Sequence, residues 1–335
     1  MIDRASANVI AALALAVAGC GEGAMAPTDV ALTPPASLEE GFQIATPRFD
    51  VPAGTEVQDC YFVDVPYDTP IYLHRFVMTQ NPGTHHMNVF RVKTIKDLGG
   101  KPGDVVHGTT ANPGPCFDSA NWSDWPLVTN NEGMSGGDSL TDFTLPDGVA
   151  ERFEPHELLM LQTHYVNARA QLTPGQGHVL VNFLRMPAED VKAELGTLFA
   201  TNQHIRICPG DTDRMFEASC RFARDSPVTI VAANGHFHSR GIRFTMNVFD
   251  SISGKGDQFY ESRSWDNPPF DRALEVPVPQ NGGIYYTCEY TVDPSLCGDP
   301  NDSCCYSFGP HSPTQEHCNA FVYYYPKNST DVNCF

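Results

Sequence analysis

An all-β chain is predicted by three features of this sequence. Short runs of alternating apolar and polar residues recur between turn residues. Gly and Pro stand at 27 each, beside 20 Phe and 12 Tyr. Long stretches of helical period are scarce. With 335 residues the chain is too long for one ordinary domain and suits two, and 41% hydrophobic residues can supply a core to each.

In chain order, the first segment reads as an export signal. Val9 to Ala18 is apolar and is followed by Gly19 and Cys20. A bilayer-spanning helix needs about 20 such residues, so this run suits the apolar part of a signal peptide. The ending Val17-Ala18-Gly19-Cys20 resembles a bacterial lipobox, which would make Cys20 the lipidated residue. A plain cleaved signal is the alternative. Residues 1–20 are therefore read as the signal and 21–44, rich in Gly, Pro, Ala, Thr and Ser, as a flexible tether. Strands are predicted over Tyr61–Val65, Met87–Val92, Leu158–Val166, His178–Leu184, Val228–Ala232, Ile242–Phe249, Gly283–Val292 and Asn319–Tyr325. One helical segment is predicted, over Ala188–Leu195, where a connection between domains at 45–190 and 191–335 would fall.

The net charge of −19 repels a phosphate backbone and excludes nucleic acid as a partner; the acidity reads as a solvated surface. Contact with a membrane is expected only through the lipid anchor. Of 11 cysteines, setting Cys20 aside leaves ten, an even set without a C-x-x-C zinc pattern. Disulfides in an oxidising compartment account for them best, and the protein is read as exported. Residues 295–313 form a cysteine-rich loop, where a local bridge from Cys297 to Cys304 or Cys305 is expected.

Placement matters more than number among the 12 histidines. His85 and His86 follow the turn signal Asn81-Pro82-Gly83-Thr84. Neighbours on a regular strand point to opposite faces, so this pair can share one metal only where the backbone is irregular. His164 shares a strand face with Met160 and Gln162. His236 and His238, at i and i+2, lie on one face, a common strand route to two nitrogen ligands.

Taken together, these motifs resemble the copper type II, ascorbate-dependent monooxygenases, the family of dopamine β-monooxygenase and the peptidylglycine α-hydroxylating enzymes. The likeness runs from about Val51 to the C-terminus. It is carried by His85-His86-Met87, Leu161-Gln162-Thr163-His164-Tyr165, His236-Phe237-His238, Gln315-Glu316-His317-Cys318-Asn319 and Tyr324-Tyr325-Pro326. Joined to the strand pattern, it implies two antiparallel jelly-roll β-sandwich domains, each with one copper on the wall of a solvent-filled interdomain cleft. His85, His86 and His164 would hold the electron-transfer copper in the first domain. His236 and His238 would hold the copper where oxygen reacts in the second.

The family's third ligand at that second copper is a methionine, and His317 stands in its place here, with His311 a weaker candidate. Imidazole accommodates Cu(II) and zinc, whereas a thioether favours Cu(I). The peptide-amidating branch clamps a substrate carboxylate with an arginine and a tyrosine, where this chain has Asn234 and Phe321. Only Asn319 remains of that clamp, so peptidylglycine is not the expected substrate. The comparison also implies Cys288–Cys318 and Cys220–Cys334 bridges. The expected activity is hydroxylation of a small organic substrate by oxygen, with two coppers per chain and ascorbate or an equivalent as reductant. A non-catalytic copper-binding or electron-transfer lipoprotein is the first alternative. A zinc hydrolase, with Glu316 as its base, is the second.

Overall fold

The structure, a computed structural model, describes residues 30–92, 98, 100–117, 126–132, 140–167, 175–211, 214–250, 252–328 and 332–334. The signal, the lipidation candidate Cys20 and the tether up to residue 29 lie outside the described residues. The described residues are all-β, and their strands form six sheets. Among the described residues pairing is antiparallel except at three short contacts, Ala193–Glu194 with Val149–Phe153, Gly196–Thr201 with Val332–Cys334, and Tyr306–Phe308 with Gln315–Glu316.

In the first half, a six-stranded sheet is built around Ile71–Gln80 and Val179–Met186. Beside it a five-stranded sheet runs Val105–Thr109, Thr55–Asp64, Leu158–Asn167, Thr84–Arg91, Leu127–Glu132. The second half has a five-stranded sheet in the order Val276–Val278, Val228–His236, Asn319–Tyr325, Gly196–Thr201, Val332–Cys334. A four-stranded sheet of Arg214–Arg221, Gly283–Tyr290, Gly241–Asp250 and Gly254–Ser262 accompanies it. Every strand expected from the sequence is present, most of them longer than the apolar run that announced them. Alternation fades at strand ends, where one face meets solvent or polar partners.

The helix expected over Ala188–Leu195 does not form. Ala188–Asp190 makes a single 3-10 turn and Ala193–Glu194 is a strand. An isolated helix of two turns is marginal. Here the backbone finds better partners, since Lys192 N and Ala193 N donate to Gly148 O, and Leu195 N donates to Ala150 O.

Two apolar cores fill the molecule, and the first does not stop at the end of the first half. It includes Phe76, Phe143, Met160 and Phe183 but also Phe199, Val231, Phe321 and Tyr323. Hydrogen bonds cross the same junction. The Tyr323 hydroxyl donates to Asn130 Oδ1 (2.6 Å) and accepts from Asn130 N (3.0 Å), and Asn130 Nδ2 donates to Asn234 Oδ1 (3.3 Å).

Five disulfides tie the chain: Cys60–Cys116, Cys208–Cys305, Cys220–Cys334, Cys288–Cys318 and Cys297–Cys304. They include the two pairs that the resemblance implied, and the local bridge uses Cys304. An oxidising environment follows. No helix among the described residues is long and apolar enough to cross a membrane.

Tyr323 is fully buried. Tyr323→Phe would leave both Asn130 groups without their partner at a dry junction, which should cost about 1–3 kcal/mol. Urea unfolding should show a lower midpoint at unchanged slope. An unchanged midpoint would mean that the halves do not depend on this contact.

Candidate metal centre

The strand Thr84–Arg91 starts from the predicted turn, where Gly83 adopts φ 100 and the Thr84 hydroxyl donates to Asn81 O. It pairs with Leu158–Asn167, with His86 opposite His164 and Thr84 opposite Tyr165. The register skips His85, which is thus the extra residue of a β-bulge. The bulge supplies the irregular backbone that two neighbouring histidines need to reach one site. On its other side His86 faces Glu132. The centre of this sheet accordingly bears a buried polar face of Asn88, Gln162, Asn130, Glu132, His86 and His164.

His236 is the last residue of its strand, and Phe237 and His238 continue beyond it. The two imidazoles stand with ring centroids 5.3 Å apart. His317 lies between the strands Gln315–Glu316 and Asn319–Tyr325, its carbonyl accepting from the Tyr290 hydroxyl. Its ring is 4.4 Å from His238 and 5.4 Å from His236. Buried Glu316 accepts from His238 N (2.8 Å) and Arg240 N (3.0 Å), and so closes the turn after the His-x-His pair. His311 is half-buried in the preceding loop, where its N–H donates to Gln315 Oε1.

All six predicted histidines are buried, and they form one continuous cluster. A solvent-filled cleft does not separate the two groups. His85 is 4.6 Å from His236 and 5.3 Å from His238, and His86 is 5.3 Å from His236. The nearest nitrogens of His85, His236 and His238 lie within 4.8 Å of one another. The halves meet here because the bulged strand end and the His-x-His strand end face each other across the junction.

The ring nitrogens carry the chemical argument. His164 Nε2 is 2.9 Å from Glu56 Oε2, and His164 Nδ1 is 3.3 Å from His86 Nε2. A tetrahedral ion with bonds of about 2.0–2.1 Å holds two nitrogens about 3.3–3.4 Å apart, so an ion fits where this pair now shares a proton. His86 Nδ1 meets Asn88 at 3.1 Å. Binding an ion through His86 Nε2 requires the proton on Nδ1 and the Asn88 amide turned oxygen-first. His238 Nδ1 donates to Gln315 O (2.8 Å), leaving Nε2 as its ligand atom. His236 Nδ1 lies 3.0 Å from Glu132 Oε2, a buried carboxylate of the first half, without the alignment of a hydrogen bond. His85 is 1% exposed, and neither of its ring nitrogens has a partner. Burying bare nitrogens is unfavourable, and a bound cation removes that cost.

Burial, reinforced by the neighbouring imidazoles, holds His85, His86, His238 and His317 well below the ordinary value of 6.5. Neutral imidazole is the form that binds metal. Glu56 is buried too, which raises its carboxyl. The bonds from His164 and Ser312 outweigh burial and keep it below its ordinary value.

Sequence reasoning missed Glu56, Glu132 and Ser312, whose hydroxyl reaches across the junction to Glu56 Oε1 (2.6 Å). Acidic residues in a chain of net charge −19 read as surface, and only the run Asn130-Asn131-Glu132 on an otherwise apolar strand hinted otherwise. Trp265, half-buried and 6.1 Å from His85, was missed as well. The three substrate candidates are buried and engaged in protein contacts. Asn234 accepts from Asn130, Asn319 accepts from the Thr201 hydroxyl (2.6 Å), and Phe321 stacks on Phe199 with centroids 5.0 Å apart.

No protein-family model and no curated protein matches the chain. Among solved structures, the chain is similar to the PBSX exported protein XepA at 10% identity, over 87% of this chain and 89% of that one, with a TM-score of 0.23. PNGF-II is similar at 7% identity, over 86% of this chain and 60% of its own, with a TM-score of 0.27. The infectious bursal disease virus VP2 subviral particle is similar at 8% identity, over 89% and 74%, with a TM-score of 0.20.

Two outcomes are expected. Glu132→Ala should weaken metal binding about 10–100-fold, because it removes the buried carboxylate that lies 3.0 Å from His236 Nδ1. A chelator competition titration on folded protein measures this, and unchanged affinity would show that His236 orients itself. Chelator-stripped protein should also lose stability as the pH falls below about 6.5. The unfolded chain then binds protons that the four depressed histidines refuse, each changing stability by at most about 1.4 kcal/mol per pH unit. Glu151 and Glu316, pushed up to about 7 by burial, act in the opposite sense between their unfolded value of 4.5 and 7. Four groups against two leave a net loss, read as a falling thermal midpoint.

Proposed function

We infer that this protein is a copper-dependent monooxygenase, using oxygen and a reductant such as ascorbate to hydroxylate a C–H bond of a small organic substrate. One observation carries the reading. Six histidines, chosen by motif in two separate groups, converge in a buried cluster, and protein partners orient several of their outer nitrogens. His85, His86 and His164 would hold one copper, and His236, His238 and His317 the other. Bound copper supplies one-electron redox chemistry and oxygen activation. The resemblance further supports reading the halves as two jelly-roll sandwiches, the copper chamber lying at their junction. Export followed by lipid anchoring at Cys20 completes the proposal.

The chain's own residues do the rest. Glu56 and the Gln315 carbonyl fix which nitrogen of His164 and of His238 carries the proton. Burial excludes water from the cluster. Trp265 beside His85 and Phe308 beside His317 (5.1 Å) are half-buried aromatics, and they mark the sides from which an uncharged substrate can approach. Arg240 is engaged with the Ser312 and Pro313 carbonyls and with Glu316, so it offers no clamp for a carboxylate.

The alternative of a copper-binding or electron-transfer protein draws on the same burial, because an enclosed site suits holding an ion more than admitting substrate. Metal analysis and oxygen uptake decide between them. Copper-loaded protein should hold two ions per chain and consume oxygen when ascorbate and substrate are supplied, and His236→Ala should drop one ion and abolish uptake. Two bound coppers with no uptake across a substrate panel would favour the electron-transfer reading. Zinc retained in preference to copper would overturn both.

A further inference from the structure

The motifs sort the six histidines by half, but the ligand nitrogens that come closest together do not follow that division. Among the described residues, His85, His236 and His238 are the set of three ligand-type side chains whose candidate atoms all lie within 4.8 Å of one another. Neither His317 nor the pair His86 and His164 joins them at that spacing. His85 comes from the bulged strand of the first half, and the other two from the end of strand Val228–His236 in the second. Their ring centroids form a triangle with sides of 4.6, 5.3 and 5.3 Å. All three side chains are buried.

The present state of these nitrogens sets the junction set apart from the first-half group. His164 has one nitrogen on Glu56 and the other on His86 Nε2, so an ion between His86 and His164 must displace a shared proton. The junction nitrogens have no hydrogen bond to give up. Neither nitrogen of His85 or His236 has a hydrogen-bond partner, and His238 keeps Nδ1 on the Gln315 carbonyl with Nε2 unpartnered. Burying such atoms bare is unfavourable, and one cation relieves all three rings at once. An ion with bonds of about 2.0–2.1 Å needs nitrogens about 3.3–3.4 Å apart, which ring rotation can reach from the present spacing. We propose that the first metal ion to enter the cluster binds at the junction, held by His85 from one half and by His236 and His238 from the other. It staples the two halves together while the centre is only partly loaded. Three imidazoles with a fourth position open suit Cu(II) and zinc alike. The inference rests on the two-copper reading only for the fully loaded protein. There His85 returns to His86 and His164, and His317 takes its place beside His236 and His238. Each copper then sits in its own group and no ligand is shared.

The test gives metal-free protein one equivalent of Cu(II) and measures its affinity by competition with a chelator. His85→Ala, His236→Ala and His238→Ala should each weaken that first ion by about 100-fold or more, at or above the upper end of what loss of an outer partner brings. His164→Ala should leave it unchanged. A first ion that survives His85→Ala belongs to the second half, and one that survives His236→Ala or is lost in His164→Ala belongs to the first. Each of these results overturns the junction site and leaves the two-copper reading intact. Wild type that holds no ion would overturn both. Hydrogen exchange on wild type decides where a variant fails to fold. One equivalent should slow exchange in both Thr84–Arg91 and Val228–His236. Slowing confined to one of these strands, or absent from both, would overturn the staple.

Discussion

The arrangement depends on burying the polar face of one sheet. Strands Thr55–Asp64, Leu158–Asn167, Thr84–Arg91 and Leu127–Glu132 bring histidines, amides and two carboxylates to the junction between the halves. Such groups are tolerated away from water only when their hydrogen-bonding capacity is met. Much of what meets it comes from across the junction: Tyr323 and Asn234 for Asn130, and Ser312 for Glu56. The halves are thus held by a polar requirement as well as by the apolar core that runs between them. This is also why the two histidine groups touch, since a water-filled gap would remove the partners that make the burial tolerable.

Much of this was legible in the residues. Period two identified the strands, and adjacency of His85 and His86 demanded an irregular backbone, found as a bulge inside the strand rather than in the Pro-Gly turn before it. The i, i+2 spacing of His236 and His238 placed both on one side even though the strand ends at the first of them. Long-range pairing was not legible. Nothing local in Glu56 or Glu132 distinguishes a buried carboxylate from a solvated one; the difference lies in His164 and His236, more than 100 residues away in each case. The Ala188–Leu195 segment failed for the same reason. Its helical composition lost to backbone partners at Gly148 and Ala150 that no local window contains.

The disulfides act on this junction from outside. Cys288–Cys318 fixes the residue after His317, and Tyr290, two residues beyond Cys288, holds the His317 carbonyl. Cys60–Cys116 positions the Cys116 carbonyl, which accepts from Gln58 Nε2 (2.6 Å). Both bridges brace strands that end at the cluster. Each histidine is therefore positioned by covalent and sheet constraints that persist whether or not a metal is bound, a form of preorganisation.

Preorganisation also bears on the redox balance of the proposed centre. Imidazole at residue 317, where the resembling family has a thioether, removes the soft donor that favours Cu(I). Glu56 and Glu132 add two buried carboxylates beside the ligands, and in a medium of low polarity their field favours the more highly charged ion. Both influences act in one direction, toward Cu(II). An oxygenase built this way needs a stronger reductant, or a substrate whose binding displaces some of that negative field. The electron-transfer alternative needs neither. The chemistry of the reductant is therefore where the two functional readings part.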